Sequence, residues 1–334
     1  MIIRVVGQAG ESVFPFGTNG PWLKFKENLI SKRDTEATQK FGQKIDALIC
    51  HGYSKKAIHE ANKSKIAKHK MVLVLWEPPI INPKLHSDEY LSNFGQIYAP
   101  SMEWAKKHNA IYFKWPVGDT ESKFKEGNLK ARHNKAVMIQ GNKINFLKGE
   151  NYSLRRAVLF KSLPLKYRIM LYGTEWERLP IRQTVKALVD YLLNFKYEFS
   201  KHSLKYIKTK YPYYQGISKN KFTTLEKYKI CIVIENHNSY ISEKIFDSLN
   251  SGCITIYVGP NLENYGLNKN LAIQSDSNPE SILNSFEKIM MLSDNDMLKV
   301  QKNQRYHLEK IKKNWNNQLV LKTLAKDIRR EIKK

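Results

Sequence analysis

The chain has 334 residues, and its 56 Lys and Arg against 31 Asp and Glu give a net charge of +25. This length supports two domains, and the charge indicates attraction to nucleic acid, to an anionic membrane or to phosphate-bearing substrates. Its apolar runs are shorter than the roughly 20 residues that cross a bilayer, and the start MIIRVVGQAGES becomes polar too early for a signal peptide. We therefore expect a cytoplasmic protein, either soluble or peripheral on the inner face of a membrane.

Cysteine usage and short motifs exclude several classes of site. Cys50, Cys231 and Cys253 stand in apolar runs, which predicts buried free thiols in a reducing compartment. Their spacing is not that of a zinc site. GQAGES lacks the glycine spacing of a dinucleotide fingerprint and the sequence contains no Walker A motif, so a dehydrogenase or an ATPase is disfavoured.

The N-terminal third alternates short apolar runs with helical patterns. Such alternation is typical of layered α/β domains. A charged stretch at 120–134, which lacks apolar periodicity, marks the predicted boundary between the two halves. The predicted strands are 2–6, 45–50, 71–76, 97–99 and 111–115, and the predicted helices are 22–32, 55–68 and 102–108.

Glu77 is the candidate functional residue of this half. It follows a buried strand, and Pro78 and Pro79 behind it force an extended exit. A carboxylate partly removed from water beside Trp76 would have a raised pKa and can act as a base near neutral pH. The alternative is a glutamate at a strand end that faces water.

Two adjacent arginines, Arg155 and Arg156, lie in a helix predicted at 153–163. A strand at 135–139 precedes this helix, and a strand over RIMLYG follows it. The arginines either contact a ligand or are exposed helix charges. Further along, the pattern predicts an aromatic-rich helix at 182–208 and a last strand at 271–274.

The C-terminal part, from residue 277, is predicted to be helical, with an interruption at DND. This Asp-x-Asp pair follows Ser293, so we interpret it as a helix N-cap and not as a metal site. The basic segment from 298 carries Trp315 and Leu319 among its apolar positions. It either packs on the domains, which we favour, or lies on an anionic membrane surface.

The stretch from 228 to 260 reads as strand, helix and strand with parallel strands. Asn238 or Ser239 is the predicted helix cap and Gly252 the predicted end. Ligands of such sheets bind past the carboxyl ends of the strands. The polar residues that gather there are Glu235, Asn236, Tyr240, Glu243 and Lys244.

Tyr240, Glu243 and Lys244 are spaced i, i+3 and i+4, which predicts one shared face in the first helical turn. A helix N-terminus favours phosphate. Lys244 adds a positive charge there, and Glu243 adds an acceptor for ribose hydroxyls. The alternative is that both charges are solvated and that Asn236 only shapes a turn.

The segments YKICIVIEN, YISEK and GCITIYVGP resemble the donor-site motif of the α1,3/4-fucosyltransferases, glycosyltransferase family 10. Ser242 stands where Thr is usual, and Thr255 where Pro is common. LVLWEPP resembles the family strand whose glutamate is the proposed general base, and the helix with Arg155 resembles the family helix whose arginine contacts the donor pyrophosphate. The resemblance covers most of the chain and is most specific at 228–260.

The resemblance implies the GT-B architecture, an α/β fold with two Rossmann-like domains facing across a cleft and a C-terminal helical tail. Residues 1–130 would bind the acceptor, 131–297 would bind GDP-fucose, and 298–334 would form the basic helical segment. The implied acceptor is a glycan that contains N-acetylglucosamine, such as a lipopolysaccharide side chain. Fucose would be joined to it by an α1,3 or α1,4 linkage.

The resemblance also implies an inverting mechanism and a role for each residue. Glu77 would take the proton from the acceptor hydroxyl that attacks C1 of fucose. Positive groups at the pyrophosphate would replace a metal, so neither a metal nor another cofactor is expected to be essential. The implied donor ligands are Arg155 (or Arg156, one residue along), Asn236, Tyr240, Glu243 and Lys244, with Glu235 as a further candidate.

Two other functions fit parts of the sequence. Glu235 and Glu243 have the E-x7-E spacing of many retaining GT-B enzymes, which would use a different nucleotide sugar. The net charge alone fits a non-enzymatic protein that binds polyanions, although no nucleic-acid motif supports it. We favour the inverting transferase because YISEK and LVLWEPP occur together, and we expect no specific nucleic acid partner.

Overall fold

The computed structural model describes residues 1–7, 25, 27–37, 41–116, 129–177, 184–185, 187–189 and 210–334. The chain forms two compact units, one of Met1–Asp119 with Lys313–Lys334 and one of Thr120–Lys312. Residues 313–334 thus group with the N-terminal residues, whereas 298–312 belong to the second unit. The domain boundaries predicted at 130 and 297, and the role predicted for each part, stay predictions. Of the predicted helix at 22–32, the described residues 25 and 27–29 are helical, whereas the predicted helix at 182–208 lies largely outside the described residues.

The first unit contains a parallel sheet in which the central strands are apolar without alternation. Strands of this kind are covered on both faces, and buried clusters lie on the two sides of this sheet. The five predicted strands are confirmed, and one two-residue strand was not predicted. The elements are β1 (Ile2–Val6), β2 (Thr35–Glu36), β3 (Ala47–Cys50), α1 (Lys55–Lys63), β4 (Met71–Val74), α2 (Asp88–Leu91), β5 (Gln96–Ala99), α3 (Met102–Lys107) and β6 (Ile111–Tyr112), in the sheet order β2-β1-β3-β4-β5-β6.

The second unit is also built on a parallel sheet. The predicted strand, helix and strand between 228 and 260 is confirmed, with Ile230 paired to Ile254. The elements are β7 (His133–Ile139), α4 (Tyr152–Lys161), β8 (Ile169–Tyr172), α5 (Lys221–Leu225), β9 (Tyr228–Ile234), α6 (Glu243–Asn250), β10 (Ile254–Val258), β11 (Ile273–Gln274) and α7 (Pro279–Met290). The sheet order is β11-β10-β9-β7-β8.

The strand order of the second sheet reverses between β7 and β9. From β7 the chain moves to β8 on one side, and it then returns to β9 on the other side. At such a reversal, the loops that follow the two strands run in opposite directions. Open α/β sheets bind ligands in the crevice between these two loops. The loop after β7 leads to α4, and the loop after β9 leads to α6.

The C-terminal helices are α8 (Asp294–Trp315) and α9 (Asn317–Ile332). The apolar face of α9, which includes Leu324 and Ile328, is buried on the sheet of the first unit. Arg329 fixes the helix there through an ion pair of 2.6 Å with Asp34. The favoured packing is therefore confirmed for α9 and for Trp315, whereas Leu319 is half exposed. Within the described residues, no helix is long and apolar enough to span a bilayer.

Candidate functional site

The helix after β9 begins later than the sequence predicted. It begins at Glu243, and Ser242 is its cap, accepting from the Lys244 N–H at 3.5 Å. The predicted caps Asn238 and Ser239 lie in the loop before it. Tyr240 is therefore outside the helix, and the predicted face that it would share with Glu243 and Lys244 is wrong.

Contacts between the two loops at the strand reversal explain this shift. The Asn238 N–H donates to the Gly149 carbonyl at 3.1 Å, and His237 forms an antiparallel bridge with Glu150. The Tyr265 hydroxyl donates to the Ser239 carbonyl at 2.7 Å. These contacts hold residue 237 in a β-bridge and residues 238–239 in a turn, so the helix begins only after them.

Glu235 directly follows β9 and is buried, with 1% of its surface exposed. Its carboxylate accepts from the Ser242 N–H at 2.9 Å and from the Ser242 hydroxyl at 2.6 Å. The Lys244 Nζ lies 3.5 Å from the same carboxylate. A buried carboxylate is stable only with such partners, and these bonds turn Glu235 toward the start of α6.

Arg155 projects from α4 to the carboxyl end of β9. Its Nη2 donates to the Ile234 carbonyl at 2.8 Å and to Asn236 Oδ1 at 2.7 Å. The guanidinium also lies 4.8 Å from the centre of the Tyr152 ring. Burial lowers the pKa of Arg155, and nearby Tyr152 and Glu235 oppose this shift. Because an arginine keeps its proton in proteins, the site holds a fixed positive charge.

Arg156 points to a different place. Its Nη2 donates to the Lys143 carbonyl at 3.2 Å, in the loop after β7, and its guanidinium lies 5.7 Å from the Trp176 ring. Burial lowers the pKa of Arg156 to about 10. The structure thus separates the two arginines that the sequence left as alternatives. Only Arg155 reaches Asn236.

Glu150 is a residue of this site that the sequence reasoning missed. Its carboxylate is buried and accepts from the Tyr152 N–H at 2.6 Å and from the Ser153 N–H at 3.0 Å. It therefore caps the start of α4, where a negative charge also suits the helix dipole. An acidic residue three positions before the predicted helix at 153–163 is the signal that could have identified it.

Glu77 lies in the first unit, just past β4. The Leu75 N–H still pairs with the Tyr98 carbonyl at 2.8 Å, and the half-buried Glu77 follows the buried Trp76. His86 Nε2 lies 3.0 Å from the Glu77 carbonyl, which fixes the turn. Glu77 is thus at the carboxyl edge of its sheet, as predicted.

His51 is a second residue that the sequence reasoning missed. It follows β3, which pairs with β1 where the strand order of the first sheet reverses. Burial lowers its pKa to about 3. The imidazole is therefore neutral near pH 7. A histidine after a predicted buried strand was the available signal.

Neither of two cavities found in the first unit includes a predicted site residue. They measure about 330 and 340 Å³. The first is lined by residues between 42 and 65, and the second by Tyr98, residues 111–114 and residues between 314 and 327. No group of His, Cys, Asp or Glu among the described residues is arranged to hold a metal ion. The predicted N-cap at 293–296 is confirmed, since the Ser293 hydroxyl accepts from the Asp296 N–H at 3.2 Å.

No protein-family model matches the chain, and no curated protein sequence matches it. Solved structures do match. HepE of Anabaena, in complex with UDP and glucose, has a TM-score of 0.57 at 10% identity, and the match covers 98% of this chain and 99% of HepE. A trehalose-6-phosphate synthase studied for glycosyl transfer with retention has a TM-score of 0.56 at 9% identity, over 86% of this chain and 74% of the synthase.

An α1,3-fucosyltransferase also matches, at 14% identity over 91% of this chain and 81% of that protein, with a TM-score of 0.47. That score is too low to bear on the choice of donor. The two better matches establish the fold, which is the predicted GT-B fold with two Rossmann-like sheets and a C-terminal helix.

Proposed function

We propose that this chain transfers a sugar from a nucleoside diphosphate to a glycan hydroxyl, and that the sugar donor is GDP-fucose. The observation that carries the proposal is a pair of positioned cations at the carboxyl end of β9. Asn236 holds Arg155, and Ser242 holds Lys244 at 3.0 Å. Negative charge grows on the leaving diphosphate during transfer, and cations that are already in place stabilise it.

The start of α6 is the proposed phosphate site. The N-terminus of a helix attracts anions through its free N–H groups and its dipole, and Lys244 adds a full charge at this position. The Lys244 side chain is 25% exposed, so it is accessible from solvent. The GDP diphosphate would lie between Lys244 and Arg155.

Glu243 is the proposed ribose ligand. It is the first residue of α6 and is half-buried, and its carboxylate makes no hydrogen bond or ion pair with any described residue. A carboxylate with free acceptor capacity suits the two ribose hydroxyls. Asn236 and Tyr240 would orient the nucleotide and the sugar from the loop before the helix.

Glu77 is the proposed general base. It would take the proton from the acceptor hydroxyl while the hydroxyl oxygen attacks C1 of fucose and the bond to GDP breaks. A single displacement of this kind inverts the β-linked donor into an α-fucoside. The resemblance of LVLWEPP to the fucosyltransferase strand supports this role. Replacing Glu77 by Gln should remove turnover while the affinity for GDP stays, and unchanged turnover would contradict the role.

We propose that Arg155 and Lys244 make a metal ion unnecessary. Both supply charge where a divalent metal would otherwise neutralise the diphosphate. Turnover in excess chelator should therefore equal turnover without it. Loss of turnover that added magnesium or manganese restores would contradict this part of the proposal.

A retaining transferase that uses a UDP-sugar is the second candidate. The structural similarity to HepE with UDP and glucose, and to a retaining synthase, favours it. The geometry of Glu235 speaks against the E-x7-E interpretation, because both of its carboxylate oxygens are bonded to Ser242. The anomer of the product, measured by NMR, distinguishes the two reactions.

The proposed acceptor is a glycan with N-acetylglucosamine, such as a lipopolysaccharide side chain. Lys322 and Lys326 on α9 are exposed. They are available for contact with an anionic membrane surface that would carry such a substrate. Binding to vesicles with and without anionic lipid tests this contact.

A thermal-shift panel tests the donor first. It compares GDP, GDP-fucose, GDP-mannose, UDP, CMP and a short oligonucleotide at moderate salt. A ligand that binds only the folded state at 100 times its Kd stabilises it by about 2.7 kcal/mol. We expect GDP and GDP-fucose to stabilise the wild type and Lys269→Ala, an exposed lysine of the same unit, but not Lys244→Ala.

The other outcomes decide between the rival functions. Stabilisation by UDP or CMP alone would keep the transferase and overturn the choice of GDP-fucose. A response to the oligonucleotide alone, lost at high salt, would favour a polyanion-binding protein. If Lys244→Ala and Lys269→Ala lose the stabilisation by nucleotide equally, the general positive charge of the protein, and not the α6 site, binds the nucleotide.

A further inference from the structure

The Ser242 side chain lies at the centre of a cluster that connects the end of β9 to the start of α6. Its hydroxyl donates to Glu235 Oε2 at 2.6 Å and accepts from Lys244 Nζ at 3.0 Å. It also accepts from the Lys244 N–H at 3.5 Å. We refer to Glu235, Ser242 and Lys244 together as the lysine brace.

We propose that Glu235 and Ser242 are positioning residues that do not touch the donor, and that they hold Lys244 where it meets the diphosphate. This inference rests on the proposed function, and it changes the role predicted for Glu235 from a donor ligand to a support. It also assigns a role to Ser242, which the sequence marked only as a departure from the usual Thr.

The hydrogen-bonding capacity of Ser242 supports this role. A serine hydroxyl has one hydrogen and two lone pairs. The hydrogen goes to Glu235, and the two lone pairs accept from the side chain and the backbone of Lys244. No capacity is left for a substrate, so Ser242 can act only through its protein partners.

Lys244 has capacity to spare. An ammonium group carries three hydrogens, of which one is donated to Ser242 and one is directed to Glu235. The third has no acceptor among the described residues, and the side chain is 25% exposed. Holding the flexible lysine in this direction before binding removes part of the entropy cost of ordering it on the phosphate.

Gly259, directly after the neighbouring strand β10, makes room for the brace. A Cβ on Gly259 would lie 2.9 Å from Glu235 Cγ and 2.3 Å from the Tyr257 hydroxyl. Real Cβ atoms do not approach so closely, so the carboxylate can sit here only because residue 259 has no side chain. This observation is independent of the hydrogen bonds, and it shows that the fold reserves space for Glu235.

The next residue, Asn236, performs the matching task for the other cation. Its Oδ1 accepts from Arg155 Nη2 at 2.7 Å. Two consecutive residues at the end of β9 therefore position two cations, Glu235 through Ser242 for Lys244 and Asn236 directly for Arg155. The Glu-Asn pair of the motif is then explained by the cations that it holds.

A double-mutant cycle tests the brace. The four proteins are wild type, Ser242→Ala, Lys244→Ala and the double variant, and titration calorimetry measures the Kd for inorganic pyrophosphate, which needs no base or sugar. Loss of a hydrogen bond to a charged group weakens binding by about tenfold. We expect Ser242→Ala to weaken pyrophosphate binding about tenfold when Lys244 is present. The same substitution should weaken binding less than twofold when Lys244 is already replaced by Ala.

Three further variants separate positioning from folding. Ser242→Thr keeps the hydroxyl and should restore the wild-type Kd, and Glu235→Gln should weaken pyrophosphate as Ser242→Ala does. Ser293→Ala removes another N-cap serine, that of α8, and should leave the Kd unchanged. An equal loss from Ser242→Ala in both backgrounds, or a loss that Ser242→Thr does not restore, would overturn the brace.

The cycle also separates this inference from the proposed function. If pyrophosphate binds with the expected coupling while no nucleotide sugar binds, the brace stands and the transferase proposal falls. If GDP-fucose binds without coupling between Ser242 and Lys244, the transferase stands and the brace falls. If the wild type does not bind pyrophosphate, Lys244 is not a phosphate ligand and the brace is overturned.

Discussion

Two helices, α4 and α6, begin at the strand reversal of the second sheet, and the groups at their N-termini differ in charge. The start of α4 is already occupied by an anion of the chain itself, because the Glu150 carboxylate accepts from two of its N–H groups. The start of α6 has a neutral cap, Ser242, with the cation Lys244 beside it. A helix N-terminus attracts anions through its free N–H groups and its dipole. Of the two, α6 is therefore the helix at whose start we propose that a phosphate binds.

The contribution of α4 to the site is a side chain from further along the helix. Arg155 reaches Ile234 and Asn236 at the end of β9. In the proposed site, α6 thus contributes its N-terminus, and α4 contributes the buried guanidinium of Arg155. Only one helix start of the proposed site is open to an anion, and the second helix supplies a fixed charge.

The largest expected effect comes from Arg155→Met, which removes the charge and keeps most of the volume. The Ile234 carbonyl and Asn236 Oδ1 lose a charged donor, so the free energy of unfolding should fall by about 2–4 kcal/mol. Pyrophosphate affinity should fall as well. Denaturant unfolding and calorimetry measure the two effects.

The adjacent Arg156 provides the matched control. It is equally buried and donates to the single carbonyl of Lys143. Arg156→Met should therefore cost less stability and should change pyrophosphate affinity by less than twofold. A larger loss of affinity from Arg156→Met than from Arg155→Met would reverse the assignment of the two arginines.

Gly259→Ala should have the next largest effect. The added methyl would press on the Tyr257 hydroxyl and on Glu235, both of which are buried. Overpacking of this kind costs about 1–3 kcal/mol. It should also displace the carboxylate that supports Ser242, so phosphate affinity falls together with stability. Unchanged stability and affinity, measured in the same two assays, would show that this space is not needed.

A suitable control for this variant is Gly216→Ala. A Cβ added to Gly216 would meet no heavy atom of the described residues within 4 Å, but the backbone φ of Gly216 is +88°. Its substitution by Ala therefore costs backbone strain alone. We expect Gly216→Ala to lower stability and to leave phosphate affinity unchanged, which separates strain from crowding at the brace.

Asp247, on α6, makes the stability of the folded protein depend on pH. Burial raises its pKa from 3.8 to about 6, although the ion pair with Lys221 opposes the shift. The folded state therefore binds this proton more tightly than the unfolded state. The resulting stability is complete below about pH 4 and is lost as the pH rises through about 6.

Asp247→Asn tests this dependence. It removes the buried charge, so its stability relative to wild type should rise by about 1–2 kcal/mol between pH 4.5 and pH 8. Asp276→Asn, at an exposed position of the same unit, should show no such rise. Thermal unfolding at both pH values measures the difference. If the difference in stability between wild type and Asp247→Asn is the same at both pH values, the raised pKa of Asp247 is contradicted.

The strands and the class of fold could be predicted because the apolar runs of the central strands are buried on both faces and end beside a glycine, a proline or a polar pair. The start of α6 could not. Asn238, Ser239 and Ser242 are all good caps by type, and the choice depends on the bonds of the loop to Gly149 and Glu150.

The sequence also could not separate Arg155 from Arg156. Adjacent residues on a helix point about 100° apart, and only the packing of α4 decides which of them faces β9. The return of α9 to the first sheet was hidden for a similar reason, since an apolar helix face does not reveal which sheet will cover it. Glu77 was predictable because it depends on its own strand and on the prolines behind it.

Glu150→Ala should have the smallest effect on stability, and it tests the comparison of the two helix starts directly. Removal of the cap should lower the free energy of unfolding by about 1 kcal/mol. The variant also removes a negative charge that acts on Arg155, and it frees the N–H groups of α4 for an anion. Pyrophosphate affinity should therefore stay or rise, in contrast to the loss expected for Ser242→Ala.

Glu150→Gln is the control, since it keeps the size of the side chain and a capping oxygen while it removes the charge. Its stability should lie between those of wild type and Glu150→Ala, and its affinity for pyrophosphate should not fall. If both Glu150 variants lose affinity as strongly as Ser242→Ala, the two helix starts serve the anion in the same way. The difference between an occupied start and an open start would then have no role in binding, and α4 would have to be counted as a second phosphate site.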